Sequence, residues 1–392
     1  MGTEANGIGS LAVRALFCSL LASVSLAVPA EGITPSPSPS GEAAAIPLET
    51  DGTSPPFVRA RVQGASFWFL LDTASPSSFG RRQSLSLGLP DGPALSGLAI
   101  ELPGITVTMR SLAVADLDAR QIALGHRLDG VLGSEVFARF VVTLDFQART
   151  LTLRDTKSFR SSGKGRALPL MIEDGHPYLD AKVTPRGGEA LGGKFLVDTA
   201  AEGAVTLFSP FVREHQLLGP PPTAPAGSGG TMQGVIRGEV LEIGGHRLRE
   251  PVITLSGSPS GSLADERHAG ALGMDVLRRF KLTLDASRGR MFLEKSSAFR
   301  EPFDYDASGL RVEPQGTDLT TLEVRRVRPG SAGAQAGIQA GDVILAVDGR
   351  PVGEITAHGV RRLFQMDGKQ YALSILREKA IRKLQIQCRR QI

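Results

Sequence analysis

Cysteine is almost absent from this 392-residue chain, with only Cys18 and Cys388 present. Cys18 lies in an apolar leader. If cleavage follows Ala30, Cys388 stands alone and no intrachain disulfide can form. Aromatic residues make up only 5% of the chain. The six histidines are scattered, without the paired spacing that zinc sites use, so no metal or other cofactor is expected. Basic patches such as Arg389-Arg390 have no interleaved aromatics and no nucleic-acid motif, so nucleic acid is not an expected partner. Long hydrophobic runs are missing too. The apolar stretch Ala15 to Ala27 is shorter than the roughly 20 residues a membrane span needs.

That stretch follows Arg14 and ends at the small residues Val28-Pro29-Ala30, the pattern of a secretory signal over residues 1–30. The expected location is therefore secreted or periplasmic, with a membrane anchor only if the segment stays uncleaved. Residues 31–50, with Thr34-Pro35-Ser36-Pro37-Ser38-Pro39-Ser40, read as a Pro/Ser-rich linker. Gly 46 and Pro 25 with few aromatics favour many short strands over helical bundles.

What the chain does have is an internal repeat. Phe67-Trp68-Phe69-Leu70-Leu71-Asp72-Thr73-Ala74 matches Lys194-Phe195-Leu196-Val197-Asp198-Thr199-Ala200. Each places an aspartate at the end of a buried-strand run. Upstream, Pro56-Phe57-Val58-Arg59-Ala60-Arg61-Val62 matches Pro177-Tyr178-Leu179-Asp180-Ala181-Lys182-Val183, both alternating as half-buried strands. Downstream, Gly130-Val131-Leu132-Gly133 matches Gly270-Ala271-Leu272-Gly273, and two strands follow in each copy. The aspartates are 126 positions apart and the glycines 140, so the second copy has a loop about 14 residues longer. The Gly/Pro-rich stretch Pro220 to Gly234 accounts for much of it.

Two Asp-Thr-x turns with paired apolar-Leu-Gly motifs resemble the retropepsin-like aspartic peptidases. The resemblance covers roughly residues 50 to 297 in two tandem copies. It implies a mainly β fold, with one lobe over 51–156 and a second over 166–297, related by a pseudo-twofold axis. Asp72 and Asp198 would form the catalytic dyad, with Thr73, Ala74, Thr199 and Ala200 supporting it. Two carboxylates so placed share a proton and activate water without metal or covalent intermediate. The substrate would be a peptide or unfolded protein. A flap is expected at Gly229, Gly230, Thr231, Met232, Gln233 and Gly234. The family has glycine third in the triplet; here both copies have alanine.

After Phe299 the pattern changes. Gly341-Asp342-Val343-Ile344-Leu345-Ala346-Val347-Asp348-Gly349 closely resembles the core of a bacterial-type PDZ domain, here over 302–392. By that resemblance Ser308, Gly309 and Leu310 would hold a peptide's terminal carboxylate. Leu310, Val312, Val360 and Leu363 would line its side-chain pocket, so protein C-termini are the expected partners. The sequence thus points to an aspartic endopeptidase with a recruiting PDZ domain. The alternative is an inactive double-lobe peptide-binding scaffold. A trypsin-like enzyme is excluded, because Gly227-Ser228-Gly229-Gly230 has no histidine and aspartate upstream in suitable strands.

Overall fold

The computed structural model describes residues 33–36, 45–50, 54–161, 163, 165–218 and 232–390. The chain is mainly β, with 46% of residues in strands, grouped in four sheets. Two of these sheets are built to one plan. In the first, the strand Ala65–Leu71 pairs antiparallel with Phe57–Val62 and parallel with Gly130–Leu132. In the second, Leu191–Val197 pairs antiparallel with His176–Pro185 and parallel with Gly270–Leu272. The correspondence is residue for residue: Phe69, Leu70 and Leu71 face Gly130, Val131 and Leu132, while Phe195, Leu196 and Val197 face Gly270, Ala271 and Leu272. Parallel strands buried on both faces read as unbroken apolar runs, which is why Phe67 to Leu71 and Phe195 to Val197 lack alternation.

A third sheet joins the two units. Its order is Arg166–Pro169, Arg290–Lys295, Phe280–Asp285, Phe140–Asp145, Thr150–Asp155 and Ala45–Pro47. At its centre Thr143 pairs with Thr283, flanked by Leu144 with Leu282 and Val142 with Leu284. The two threonine hydroxyls are 2.9 Å apart. They occupy equivalent repeat positions, so a pseudo-twofold axis passes between them. One continuous apolar core fills both units, running from Ile46 to Phe303.

The 31–50 linker expectation needs correction. Ile33–Ser36 pairs antiparallel with Ile105–Ala115, and Ala45–Pro47 closes one edge of the shared sheet. Ile46 is fully buried and Leu48 nearly so. Their alternation with exposed neighbours is a strand pattern, and burying those side chains outweighs the Pro/Ser-rich surroundings.

The C-terminal module has its own core and its own sheet, ordered Leu310–Pro314, Leu322–Val327, Val343–Val347, Gln370–Arg377 and Ala380–Gln387. Ser331 starts the short helix Ala332–Gln335 by accepting from the Ala334 N–H. Asp342, almost fully buried, takes a two-pronged bond from Arg377 at 2.6 and 2.7 Å. Arg279, 1% exposed, binds this module's approach segment to the second lobe. It donates to the carbonyls of Ala298, Glu301 and Pro302 and lies 3.7 Å over the Phe303 ring.

Candidate active site

Asp72 and Asp198 each follow the last residue of a parallel strand, and each backbone N–H donates to the leucine carbonyl of the facing Leu-Gly motif. Asp72 N reaches Leu132 O at 3.0 Å and Asp198 N reaches Leu272 O at 3.0 Å. The glycines that follow those leucines let the turns approach. A Cβ on Gly133 would meet the Ser75 carbonyl at 2.1 Å, and one on Gly273 the Ala201 carbonyl at 2.8 Å.

The two turns meet across the pseudo-twofold. Thr73 N donates to Thr199 Oγ1 at 3.1 Å, and Thr199 N donates to Thr73 Oγ1 at 3.1 Å. The hydroxyls then donate onward, Thr73 to Val197 O at 2.5 Å and Thr199 to Leu71 O at 2.8 Å. Both threonines are fully buried. Four bonds therefore hold the aspartate-bearing turns in one arrangement.

Ala74 and Ala200 sit in reciprocal apolar clusters. Ala74 of the first lobe packs among Tyr178, Leu196, Phe208, Leu263 and Ala271 of the second. Ala200 packs against Phe57, Leu70, Leu117 and Val131 of the first. Each cluster is backed by an aromatic ring at an equivalent position with a histidine stacked on it. Phe57 lies 3.9 Å from His126, and Tyr178 lies 3.8 Å from His268. The methyl groups thus extend the contact between lobes.

The carboxylates are buried, Asp72 at 1% and Asp198 at 7% exposure, yet unequally furnished. Asp198 Oδ1 accepts the N–H groups of Ala200 and Ala201 at 2.9 and 3.0 Å. Asp72 Oδ1 accepts the Ala74 N–H at 2.7 Å, and its Oδ2 accepts the Ser75 hydroxyl at 2.6 Å and the guanidinium of Arg120. Burial, with the charge of Asp72 added to it, raises the Asp198 carboxyl to about 7. Half-buried His176 is also near; burial lowers its pKa against the pull of Asp72.

Arg120 and Ser75 are site residues that the repeat does not reveal. Ser75 is three positions past Asp72, where the second copy has Ala201, so comparison of the copies exposes an asymmetry. Arg120 has no such signal. It projects from the helix Asp118–Leu124, whose place in the second lobe is taken by the single turn Ser262–Ala264.

Of the flap expectation, Gly229, Gly230 and Thr231 lie outside the described residues. Met232, Gln233 and Gly234 open the strand Met232–Ile243. Among the described residues no group of three or more His, Cys, Asp or Glu could hold a metal ion.

In the C-terminal module Ser308, Gly309 and Leu310 form a loop whose N–H groups are already engaged. Asp306 accepts from Ser308 N at 3.0 Å and Gly309 N at 2.8 Å, while Leu310 N donates to Ser308 Oγ at 3.0 Å. Leu310, Val312 and Val360 are buried in the module's core, with Leu363 partly buried against it. The three loop N–H groups are thus bonded within the module itself.

The module sits against the dyad region. Arg361 Nη1 donates to both carboxylate oxygens of Glu202 at 2.9 Å, and His358 Nδ1 lies 3.4 Å from Glu202 Oε1. Burial works against ionisation of Glu202, yet Arg361 and His358 hold its carboxyl down to about 2. On the other side, Gln121 donates to Thr317 O at 2.9 Å and Arg361 Nη2 to Ala123 O at 3.3 Å.

A PDZ-domain family model matches residues 323–377, so the C-terminal module is a PDZ domain, a protein-interaction unit. No curated protein matches the chain.

Proposed function

We propose that the chain is a secreted or periplasmic aspartic endopeptidase of the retropepsin-like kind, acting on peptides or unfolded proteins. The observation that carries this reading is the exchange between Thr73 and Thr199, which brings two buried aspartates together at a pseudo-twofold axis. Two adjacent carboxylates in an apolar core cost stability and add nothing to packing, and such groups cluster at functional sites.

The environments divide the labour. Arg120, Ser75 and the Ala74 N–H supply three donors to negative charge on Asp72. Asp198, raised to about 7, keeps its proton below that pH. Asp72 takes a proton from water as the water oxygen attacks the peptide carbonyl. Asp198 gives its proton to the carbonyl oxygen. The tetrahedral intermediate then collapses: the C–N bond breaks, the amine nitrogen takes the proton held by Asp72, and Asp198 recovers its own. The PDZ domain would recruit protein C-termini to this site.

A second reading has one observation in its favour. Arg120 bonds the same Asp72 oxygen as Ser75, an oxygen that an attacking water would also need. A double-lobe scaffold that binds peptides without cutting them would have the same core.

The test uses chain lacking residues 1–30 with a diverse peptide mixture from pH 3 to 8, beside Asp72→Asn and Asp198→Asn. Cleavage that vanishes in both variants supports the peptidase. Peptide binding without cleavage at any pH supports the scaffold. Cleavage that survives both substitutions removes the aspartic mechanism.

A further inference from the structure

Two elements furnish the dyad with donors, and both are held by one PDZ residue. The first is the loop Ala200-Ala201-Glu202, whose N–H groups at Ala200 and Ala201 bond Asp198. The second is the helix Asp118–Leu124, which puts Arg120 on Asp72. Arg361, on the PDZ helix Ala357–Leu363, bonds Glu202 in the loop and the Ala123 carbonyl in the helix. The contact is tight. The first-lobe helix ends at Gly125 in a left-handed conformation (φ 64°), and a Cβ there would meet the Ala357 Cβ at 2.5 Å. Arg361 keeps only 18% of its side chain exposed and Glu202 33%, so the pair is partly sheltered from solvent screening.

We infer that Arg361 is a positioning residue for the dyad, tying the Asp198 loop and the Arg120 helix into one unit. The inference rests on the peptidase reading for its catalytic consequence but not for the linkage itself. A PDZ domain attached only as a recruiting tether would have no need of a charged clamp beside the dyad. Here the helix that lines one side of the module also fixes the spacing between two donors that come from different lobes. Arginine suits this task because its planar fork holds several donors in fixed directions, bidentate on the carboxylate and reaching the carbonyl, where a lysine ammonium offers only a rotatable point charge.

The charged groups facing these elements define the electrostatics. Asp198 faces Asp72 and Arg120. Glu202 faces Arg361 and His358, with Asp275 close by and itself paired to Arg278. Releasing Glu202 loosens the Ala200 and Ala201 N–H groups that favour ionised Asp198, so the Asp198 titration moves upward.

The experiment compares the parent with Arg361→Gln, Glu202→Gln, Arg361→Lys and, as a control, Arg382→Gln on the exposed strand Ala380–Gln387. Two readouts are taken on protein shown to be folded: peptide cleavage and the carboxyl 13C titration of Asp198, identified by its loss in Asp198→Asn. Arg361→Gln and Glu202→Gln are expected to lower kcat about 10- to 100-fold with KM little changed. Both should raise the Asp198 midpoint, Arg361→Lys should recover part of each effect, and Arg382→Gln should change neither. A folded Arg361→Gln with the parental midpoint overturns the inference. A parent that cleaves nothing ends the peptidase reading, and the titration still decides the linkage.

Discussion

Thr73 and Thr199 each donate a backbone N–H to the other's hydroxyl at 3.1 Å, so neither lobe completes its own aspartate turn. Replacing either threonine by valine keeps the shape but leaves one buried N–H without an acceptor. The expected cost is about 1–3 kcal/mol, read by urea unfolding. Serine at either position keeps the acceptor and should cost less than valine. Equal stability of the valine and serine variants would mean that the exchange contributes nothing.

The Asp198 carboxyl makes both stability and activity fall as pH rises. Its folded value of about 7 lies above the unfolded 3.8, so the folded chain keeps a proton that the unfolded chain releases. This group's contribution is full below pH 3.8 and is lost as pH rises to about 7. Asp198→Asn should therefore be more stable than the parent above pH 7, as judged by Tm across pH. Cleavage should fall above about pH 7 in the parent, because the donated proton is gone. Glu202 acts in the other direction: the stability it contributes is present above 4.5 and disappears as pH falls to about 2.

Arg120→Gln tests whether the guanidinium on Asp72 serves the reaction. Its positive charge lowers the Asp198 value, so its removal should shift the basic limb of the pH–rate profile upward. The rate should fall at least tenfold at pH 5, since Asp72 loses a charge-assisted donor. A faster variant would show instead that Arg120 restrains the dyad by occupying its oxygen.

Part of this site is legible in the sequence because it lies in continuous strings. Phe67 to Ala74 and Lys194 to Ala200 carry strand, aspartate and cross-lobe threonine within eight residues, and the Leu-Gly motifs follow at matched spacing. The Arg120 contact is different in kind. It joins residues 48 positions apart through one turn of a surface helix, and nothing distinguishes Arg120 from the other basic residues of a chain with 44 lysines and arginines. The Glu202–Arg361 pair spans 159 positions and two modules, so only folding brings it together. The strand Ala45–Pro47 has a visible signal. Ala45-Ile46-Pro47-Leu48 repeats as Ala167-Leu168-Pro169-Leu170, but the Pro/Ser-rich run before it reads as a spacer.

Asp306 occupies the N–H groups of Ser308 and Gly309 that a partner's C-terminal carboxylate would need. A bound C-terminus must displace it. Asp306→Ala should therefore bind free-carboxylate peptides more tightly than the parent, measured by fluorescence anisotropy, while amidated versions show no such gain. Weaker binding by the variant would mean that Asp306 shapes the loop for its ligand instead of blocking it.

Ala74 decides how the departure from Asp-Thr-Gly is to be understood. Its side chain is 2% exposed and packs only against second-lobe residues within its cluster, including Tyr178, Leu196 and Phe208. A methyl group in such a place adds to the lobe interface, so its loss removes contact and adds unfolded-chain entropy. Ala74→Gly should cost about 1 kcal/mol of stability. The aspartate's own bonds come from the residue-74 N–H, Ser75 and Arg120, all of which remain with glycine, so cleavage should stay within about threefold of the parent at pH 5. Ala74→Val adds two carbons to a filled pocket and should cost about 1–3 kcal/mol, with a larger loss of rate as the lobes are pushed apart. A large rise in cleavage for Ala74→Gly would contradict this account, because it would show that the methyl group obstructs the dyad it borders.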